Sequence, residues 1–250
     1  MSHPMDLTNH RIMVTGAEFG IGRETARFLS RLGAEVICVG RDAAQLQSTV
    51  ASLEGTLHSC ESFDLATGDA IVPWLKDVVQ RHGQLHGLAH CDEQQIYQPL
   101  ADLTSVSLQE IYQTNAVSAA QLIRAIQQPD CAASGASVVL LSSAAAIVGL
   151  PTSGAYAASK AALLAMTRAF AMELVKAGIR VNAVVAGLVN SDETTPDVMT
   201  PEAFQALAAK HPLGVGQPED VAYAIAFLLA PTSRWITGTS LVVDGAWTIP

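Results

Sequence analysis

Seven short runs of β-branched and apolar residues alternate with longer segments of helical period, and this alternation most narrows what the chain can fold into. Strands separated by helices run parallel, because a parallel neighbour is reached only through a long crossover, and both faces of the resulting sheet are covered. The strand runs are Arg11 to Thr15, Glu35 to Val39, Leu57 to Ser62, Gly87 to Cys91, Ser137 to Ser142, Arg180 to Val185 and Ser240 to Val243. Between and after them, helical period covers Ile21 to Leu32, Ala43 to Leu53, Ala66 to His82, Leu108 to Gln127, Gly154 to Ala177 and Pro218 to Ala230, with Gly33, Gly83 and Gly178 as stops. The chain has 250 residues, half of them apolar, with neither repeats nor a long polar tract. One α/β domain spanning 1–250, a doubly wound seven-stranded parallel sheet, is the expected architecture.

Charge and composition remove several classes of partner. A formal charge of −9 opposes both nucleic acid and an anionic membrane surface. No apolar run reaches the ~18 residues of a membrane span. Cys38, Cys60, Cys91 and Cys131 lack metal-ligand spacing, and the first residues lack an apolar signal core, so a reducing cytoplasm is the expected location. His82, His86 and His90 are spaced by four, but Gly83 and Gly87 break the run and its second half reads as strand; no metal site is expected.

The first strand run ends in Thr15-Gly16-Ala17-Glu18-Phe19-Gly20-Ile21-Gly22 and passes straight into a helix. Gly16, Gly20 and Gly22 let backbone N–H groups approach an anion at the positive helix end, so the turn, with Glu18, Phe19 and Ile21, is a candidate cradle for a dinucleotide pyrophosphate. After the second strand, where an acidic residue grips an adenosine 2′-hydroxyl, stand Gly40 and then Arg41. An arginine there pairs with a 2′-phosphate and stacks on adenine, which favours NADP(H) over NAD(H), although Glu18 would repel that phosphate unless it points to solvent. Asp64, with Leu65 beside it, is placed for the adenine, or else to cap the following helix.

Tyr156 and Lys160 stand four apart on one helix face, thirteen residues beyond Ser143. An ammonium beside a phenol favours phenolate, bringing a tyrosine toward working pH as a proton donor and acceptor.

These residues together resemble the short-chain dehydrogenase/reductase family over nearly the whole chain, in particular its 3-oxoacyl carrier-protein reductase-like members. TGAEFGIG resembles the family's glycine turn, while Asn115 in TNAVSA, Ser143 in LLSSAAA and Tyr156 with Lys160 in YAASK fall in its order and spacing. AGLVNS, from Ala186 to Ser191, resembles the loop that holds the nicotinamide carboxamide, which implies cofactor contacts at Gly187, Val189 and Ser191. The resemblance implies a Rossmann-type fold and hydride transfer between a nicotinamide cofactor and a ketone, 3-oxo group or secondary alcohol. It makes Tyr156 the acid/base, Ser143 the hydrogen-bond donor to the substrate oxygen, and Lys160 the ribose anchor that lowers the tyrosine pKa. Asn115 would turn a backbone carbonyl toward a water leading from Lys160 to solvent. Homodimers or homotetramers built on the two long central helices and the C-terminal segment are implied as well.

The pattern breaks after the fourth strand, where the family's Asn-Asn-Ala-Gly reads His90-Cys91-Asp92-Glu93. His90 and Asp92 fall where the cofactor ribose passes, and acidic bulk there bears on affinity; an alternative to the enzyme is a binding or scaffold subunit with weakened cofactor use. A substrate pocket is expected between Gln94 and Ile96, the segment Ala144 to Leu150 including Ala145, and a lid over 187–212. Small apolar walls suit a small or medium carbonyl or alcohol compound, free or carrier-bound, and Asp192, Glu193 and Asp197 disfavour polyanions.

Overall fold

The computed structural model describes residues 3–191 and 199–249. Seven parallel strands form one sheet in the order β3-β2-β1-β4-β5-β6-β7, with β1 Arg11–Thr15, β2 Glu35–Gly40, β3 Ser59–Ser62, β4 Leu85–His90, β5 Ala132–Ser143, β6 Arg180–Ala186 and β7 Ser240–Val243. The order reverses between β1 and β4, and the carboxyl ends of those strands border the crevice where doubly wound sheets take ligands.

Helices cover both faces. On one lie α1 Gly20–Arg31, α2 Ala43–Ala51 and α8 Pro218–Leu229, which bury Ala26, Leu29, Leu46, Val221 and Ile225 against Ile12, Val14 and Val36. On the other lie α3 Ile71–His82, α5 Ser118–Ile126 and α6 Gly154–Leu174, which bury Leu75, Leu122, Ile126 and Leu163 against Met13, Leu88 and Leu140. Each such fully buried side chain contributes about 1.5–3 kcal/mol. The expected single-domain, doubly wound seven-stranded parallel sheet is what forms.

Local geometry departs from the sequence expectation at four places. The segment expected as one helix from Ala66 begins as a 3-10 turn over Leu65–Ala70, broken at Gly68 (φ 60°). The expected helix Leu108 to Gln127 is α4 Ser105–Tyr112, a π-turn over Gln113–Val117, and α5. Strand β5 begins at Ala132, five residues before its β-branched run. Within the 187–212 segment, Thr200 caps α7 Pro201–Ala208, its side chain accepting the Ala203 N–H; Asp192, Glu193 and Asp197 lie outside the described residues.

At the far side of the sheet, Arg180 closes the C-terminal end of α8. Its Nη1 donates to the carbonyls of Leu228 (2.9 Å) and Ile236 (3.2 Å) and to Ser233 Oγ (3.0 Å), and its Nη2 to Leu229 and Ala230 (both 3.4 Å). A cation at that helix end meets the orphan carbonyls and the negative end of the dipole.

Candidate active site

The glycine turn is locked by contacts that only glycine allows. Gly16 has φ +65°, and a Cβ there would stand 2.7 Å from the Asp92 nitrogen; a Cβ on Gly22 would fall 2.0 Å from the Gly16 carbonyl oxygen. The turn therefore packs directly on the segment after β4 and on its own helix. Arg23 Nε donates to the Glu18 carbonyl at 2.8 Å, and its guanidinium lies 5.3 Å from the Phe19 ring centroid.

Glu18 does not point to solvent. Its buried carboxylate lies against Gly40, and Oε1 accepts the N–H groups of Arg41 (2.5 Å) and Asp42 (3.2 Å). Asp64 Oδ1 accepts the Ala66 N–H at 3.0 Å, the capping role open to it from sequence, and the Leu65 side chain is in the core, so only backbone at 65 can face the crevice.

Ser143 ends β5 and Tyr156 and Lys160 rise from the first turns of α6 beside it. Tyr156 is 4% exposed and Lys160 1%, the largest of the fully buried side chains. Lys160 Nζ donates to the Leu141 carbonyl at 3.0 Å, while Ser142 Oγ donates to the Lys160 carbonyl at 2.9 Å, which fixes α6 to β5 at the catalytic level. Asn115 sits in the π-turn, where the wider coil breaks the regular ladder. Its Oδ1 accepts the Gln94 N–H (2.7 Å) and its Nδ2 donates to the Gln94 carbonyl (2.9 Å) and Ser159 Oγ (2.9 Å), so its side chain clamps the segment after β4 onto α6.

Glu93 is the main addition to the site. Its Oε2 lies 2.5 Å from Lys160 Nζ and accepts the Tyr156 hydroxyl at 3.1 Å, and Gln95 Nε2 donates to Oε1 at 2.5 Å. Burial would raise its pKa, but the Lys160 charge and these hydrogen bonds outweigh it and hold the carboxyl below its ordinary range. Tyr156 moves the opposite way from the sequence expectation: burial first, then the Glu93 charge and Tyr97, raise its pKa well above 10, against a hydrogen bond with Ser143 that lowers it. With Glu93 in this position, Tyr156 is a phenol that can donate a proton and not a standing base.

Asp92, whose backbone packs on Gly16, is partly exposed as a residue; burial of its carboxyl, followed by the Glu18 charge, raises it to about 6 against the pull of Arg41 and Lys160. His90 belongs elsewhere. Its Nδ1 lies 2.8 Å from Thr15 Oγ1 and its Nε2 3.3 Å from Ser118 Oγ, fully buried, and burial with the Lys160 charge lowers its pKa to about 3. The ring is a neutral brace between β1 and α5 and not a group lining the crevice, a correction to its expected cofactor contact.

The pocket over Ser143 and Tyr156 takes in Ala145 and Leu150 as expected, and Ile21, Gly187, Val189 and Ser191 border it. Gln94 and Ile96 do not line it. The odd-numbered neighbours Glu93, Gln95 and Tyr97 do, while Asn115 clamps Gln94 by its backbone and Ile96 packs against the cluster of Ile111, Ala145, Ala155 and Tyr156. Leu207 from α7 and Trp247 complete the wall. His211, 4.9 Å from the Trp247 ring, accepts the Leu188 N–H at 2.9 Å through Nε2 and so sets the loop that begins at Gly187.

The donor set fits a dinucleotide: a glycine turn opening α1, then a phenol and a serine hydroxyl lining the pocket beyond it, with the buried Lys160 ammonium on the Glu93 that lines the same pocket. In this structure the Glu93 carboxylate occupies the Lys160 and Tyr156 donors.

The chain matches the family described as enoyl-(acyl carrier protein) reductase over residues 16–248. It is 32% identical over 243 residues to the 3-oxoacyl-[acyl-carrier-protein] reductase FabG of Rickettsia prowazekii, covering 96% of this chain and 98% of that one. Among solved structures, a dehydrogenase/reductase from Sinorhizobium meliloti 1021 superposes with a TM-score of 0.90 at 28% identity, covering 97% of this chain and 96% of the other. A variant of actinorhodin polyketide ketoreductase with NADPH gives a TM-score of 0.86 at 26% identity over 100% of both chains. Together with the crevice and the Ser143, Tyr156 and Lys160 constellation, these likenesses make the chain an oxidoreductase of the short-chain dehydrogenase/reductase family.

Proposed function

We propose that the chain reduces a ketone or 3-oxo group to a secondary alcohol, or runs the reverse, with Tyr156 as acid/base. The observation that carries this is that Ser143 and Tyr156 line one pocket at the carboxyl end of the sheet, with the buried Lys160 ammonium joined to Tyr156 through the Glu93 carboxylate. A bound nicotinamide would supply or accept the hydride. Ser143 holds the substrate oxygen, and Tyr156, kept protonated by burial, hands its proton to that oxygen in the reductive direction. Lys160 and Tyr156 become available as Glu93 releases them, and a lysine freed of its carboxylate lowers the tyrosine pKa for the reprotonation step. The Asn115 clamp sets where Glu93 and Gln95 enter the pocket.

Arg41, exposed at the end of β2, supports NADP(H) as a cofactor. Ala145, Leu150, Tyr97 and Trp247 give walls for a small or medium, largely apolar carbonyl compound. A carrier-bound substrate is supported by the name of the Rickettsia relative and opposed by the acidic balance of −9, which repels an acidic carrier. Homodimer or homotetramer assembly is supported by exposed Met172 and Val175 at the end of α6 and by exposed Trp235 and Ile249 near the C-terminus. No described helix is long and apolar enough to cross a membrane.

The test is Tyr156→Phe assayed against a ketone panel with either reduced nucleotide. Turnover falls at least ~100-fold while nucleotide affinity changes little. Normal turnover by the variant overturns the mechanism, and no nucleotide binding by the unaltered protein favours the scaffold reading.

A further inference from the structure

Glu18 is a charged, buried side chain in a turn whose other members face an anion. Its carboxylate carbon and both oxygens lie 2.0–2.1 Å from where a Cβ would stand on Gly40, so it fills the space that a side chain at the end of β2 would have claimed. Oε1 takes two backbone donors, Arg41 N–H and Asp42 N–H, which open the approach to α2. Oε2 accepts no hydrogen bond from the described residues. The grip of Arg23 on the Glu18 carbonyl holds the residue in this inward pose.

By the topology of a doubly wound sheet, an acid here accepts the hydroxyls of an adenosine ribose, and an arginine beside it pairs with a 2′-phosphate. In this chain both are present, and the acid arrives from the glycine turn instead of the strand end. A 2′-phosphate dianion placed at Gly40 would meet the Glu18 carboxylate and find the two amide donors already used. A ribose diol meets a carboxylate oxygen open to accept from it. Arg41 draws the phosphate from the other side and makes no ion pair among the described residues.

We infer that Glu18 is a specificity-determining residue: it stands in for the strand-end acid that Gly40 lacks and offsets Arg41, so that the chain takes NAD(H) as well as NADP(H). This rests on the nicotinamide reading above. The two residues form an opposed pair, and each sets the preference that the other restrains.

The experiment is calorimetric titration of the full chain, Glu18→Gln, Glu18→Ser and Arg41→Ala with NADH, NADPH, adenosine 5′-monophosphate and adenosine 2′,5′-bisphosphate. The unaltered chain should bind NADH and NADPH within about tenfold of each other. Both Glu18 variants should shift the ratio of affinities at least about tenfold toward the 2′-phosphorylated ligand of each pair, and Arg41→Ala should shift it the other way. The shorter ligands do not reach Glu93, so they read the adenosine end alone. Ratios unmoved by either Glu18 substitution, in variants with unchanged melting temperature and circular dichroism, overturn the inference and leave the oxidoreductase reading standing. No binding of any of the four ligands by any form overturns both. Glu18→Gln keeps the size and one acceptor of the side chain, which separates the effect of charge from that of an altered turn.

Discussion

The two ends of the crevice each carry a carboxylate, and the two are held by different kinds of donor. Glu18, at the adenosine end, rests on the amides of Arg41 and Asp42, groups that take no part in proton transfer. Glu93, at the other end, rests on Lys160 and Tyr156, the side chains proposed to take part in it. An internal anion on backbone amides can tune selectivity and leave the chemistry untouched. The same anion on catalytic side chains must move before they can act, and breaking a buried pair has a large cost.

The largest break in this contrast comes from Lys160→Met. It leaves the Glu93 carboxylate buried with no cation, and removing one member of such a pair costs about 3–5 kcal/mol. A urea or thermal melt should show it, whereas Glu18→Gln should cost about 1–2 kcal/mol as charge-assisted bonds become neutral ones. Equal losses at the two ends would erase the distinction. Next in size is Glu93→Gly, which frees Lys160 and Tyr156: nucleotide affinity should rise about 10- to 100-fold by fluorescence titration while the unliganded protein melts lower. Tighter binding absent from this variant would show that Glu93 and ribose do not compete. Asn115→Ala should cost about 1–3 kcal/mol, since the Gln94 N–H and carbonyl lose their partners, and should raise KM more than it lowers kcat. Smallest is a pH effect confined to one side chain. Burial raises Asp92 to about 6, so its protonated form stabilises the fold fully below about pH 4, and that contribution is lost as pH rises through about 6. Asp92→Asn should therefore raise the melting temperature above pH 6 and leave it unchanged near pH 4. Glu93 has the opposite sign. Its lowered pKa gives stability that is present above the ordinary carboxylate range and lost on acidification.

The sheet was readable because β1, β2, β6 and most of β5 are apolar runs and the helices between them keep a helical period; β1 and the Thr15 to Gly22 turn coincide with the sequence reading. Strand β5 was shortened in that reading because Ala132 to Ala136 carries Ser and Gly, and its pairing of Leu85 with Ala132 depends on a neighbour that no local pattern reveals. The π-turn at Asn115 likewise depends on contacts with Gln94 and Ser159 from distant segments. Gln94 and Ile96 were expected in the pocket instead of Gln95 and Tyr97 because a loop has no fixed phase, and a slip of one residue turns each side chain away. Glu93 was legible as a departure, but its partners were not. Only the fold brings an acidic residue after β4 to within 2.5 Å of an ammonium on α6. The inward pose of Glu18 was hidden in the same way, by a β2 terminus whose glycine leaves it room.

The guanidinium of Arg180 bears on how the chain is made. It emerges from synthesis some fifty residues ahead of the α8 carbonyls and the Ile236 carbonyl that surround it. Until those arrive, water serves the guanidinium, and α8 and the segment to Ile236 replace that water with carbonyls as they dock. The Arg180 acceptors and the edge strand β7 both belong to the last part of the chain to be made. A chain cut before Leu228 has all the catalytic side chains named above and still lacks the lock that seats them.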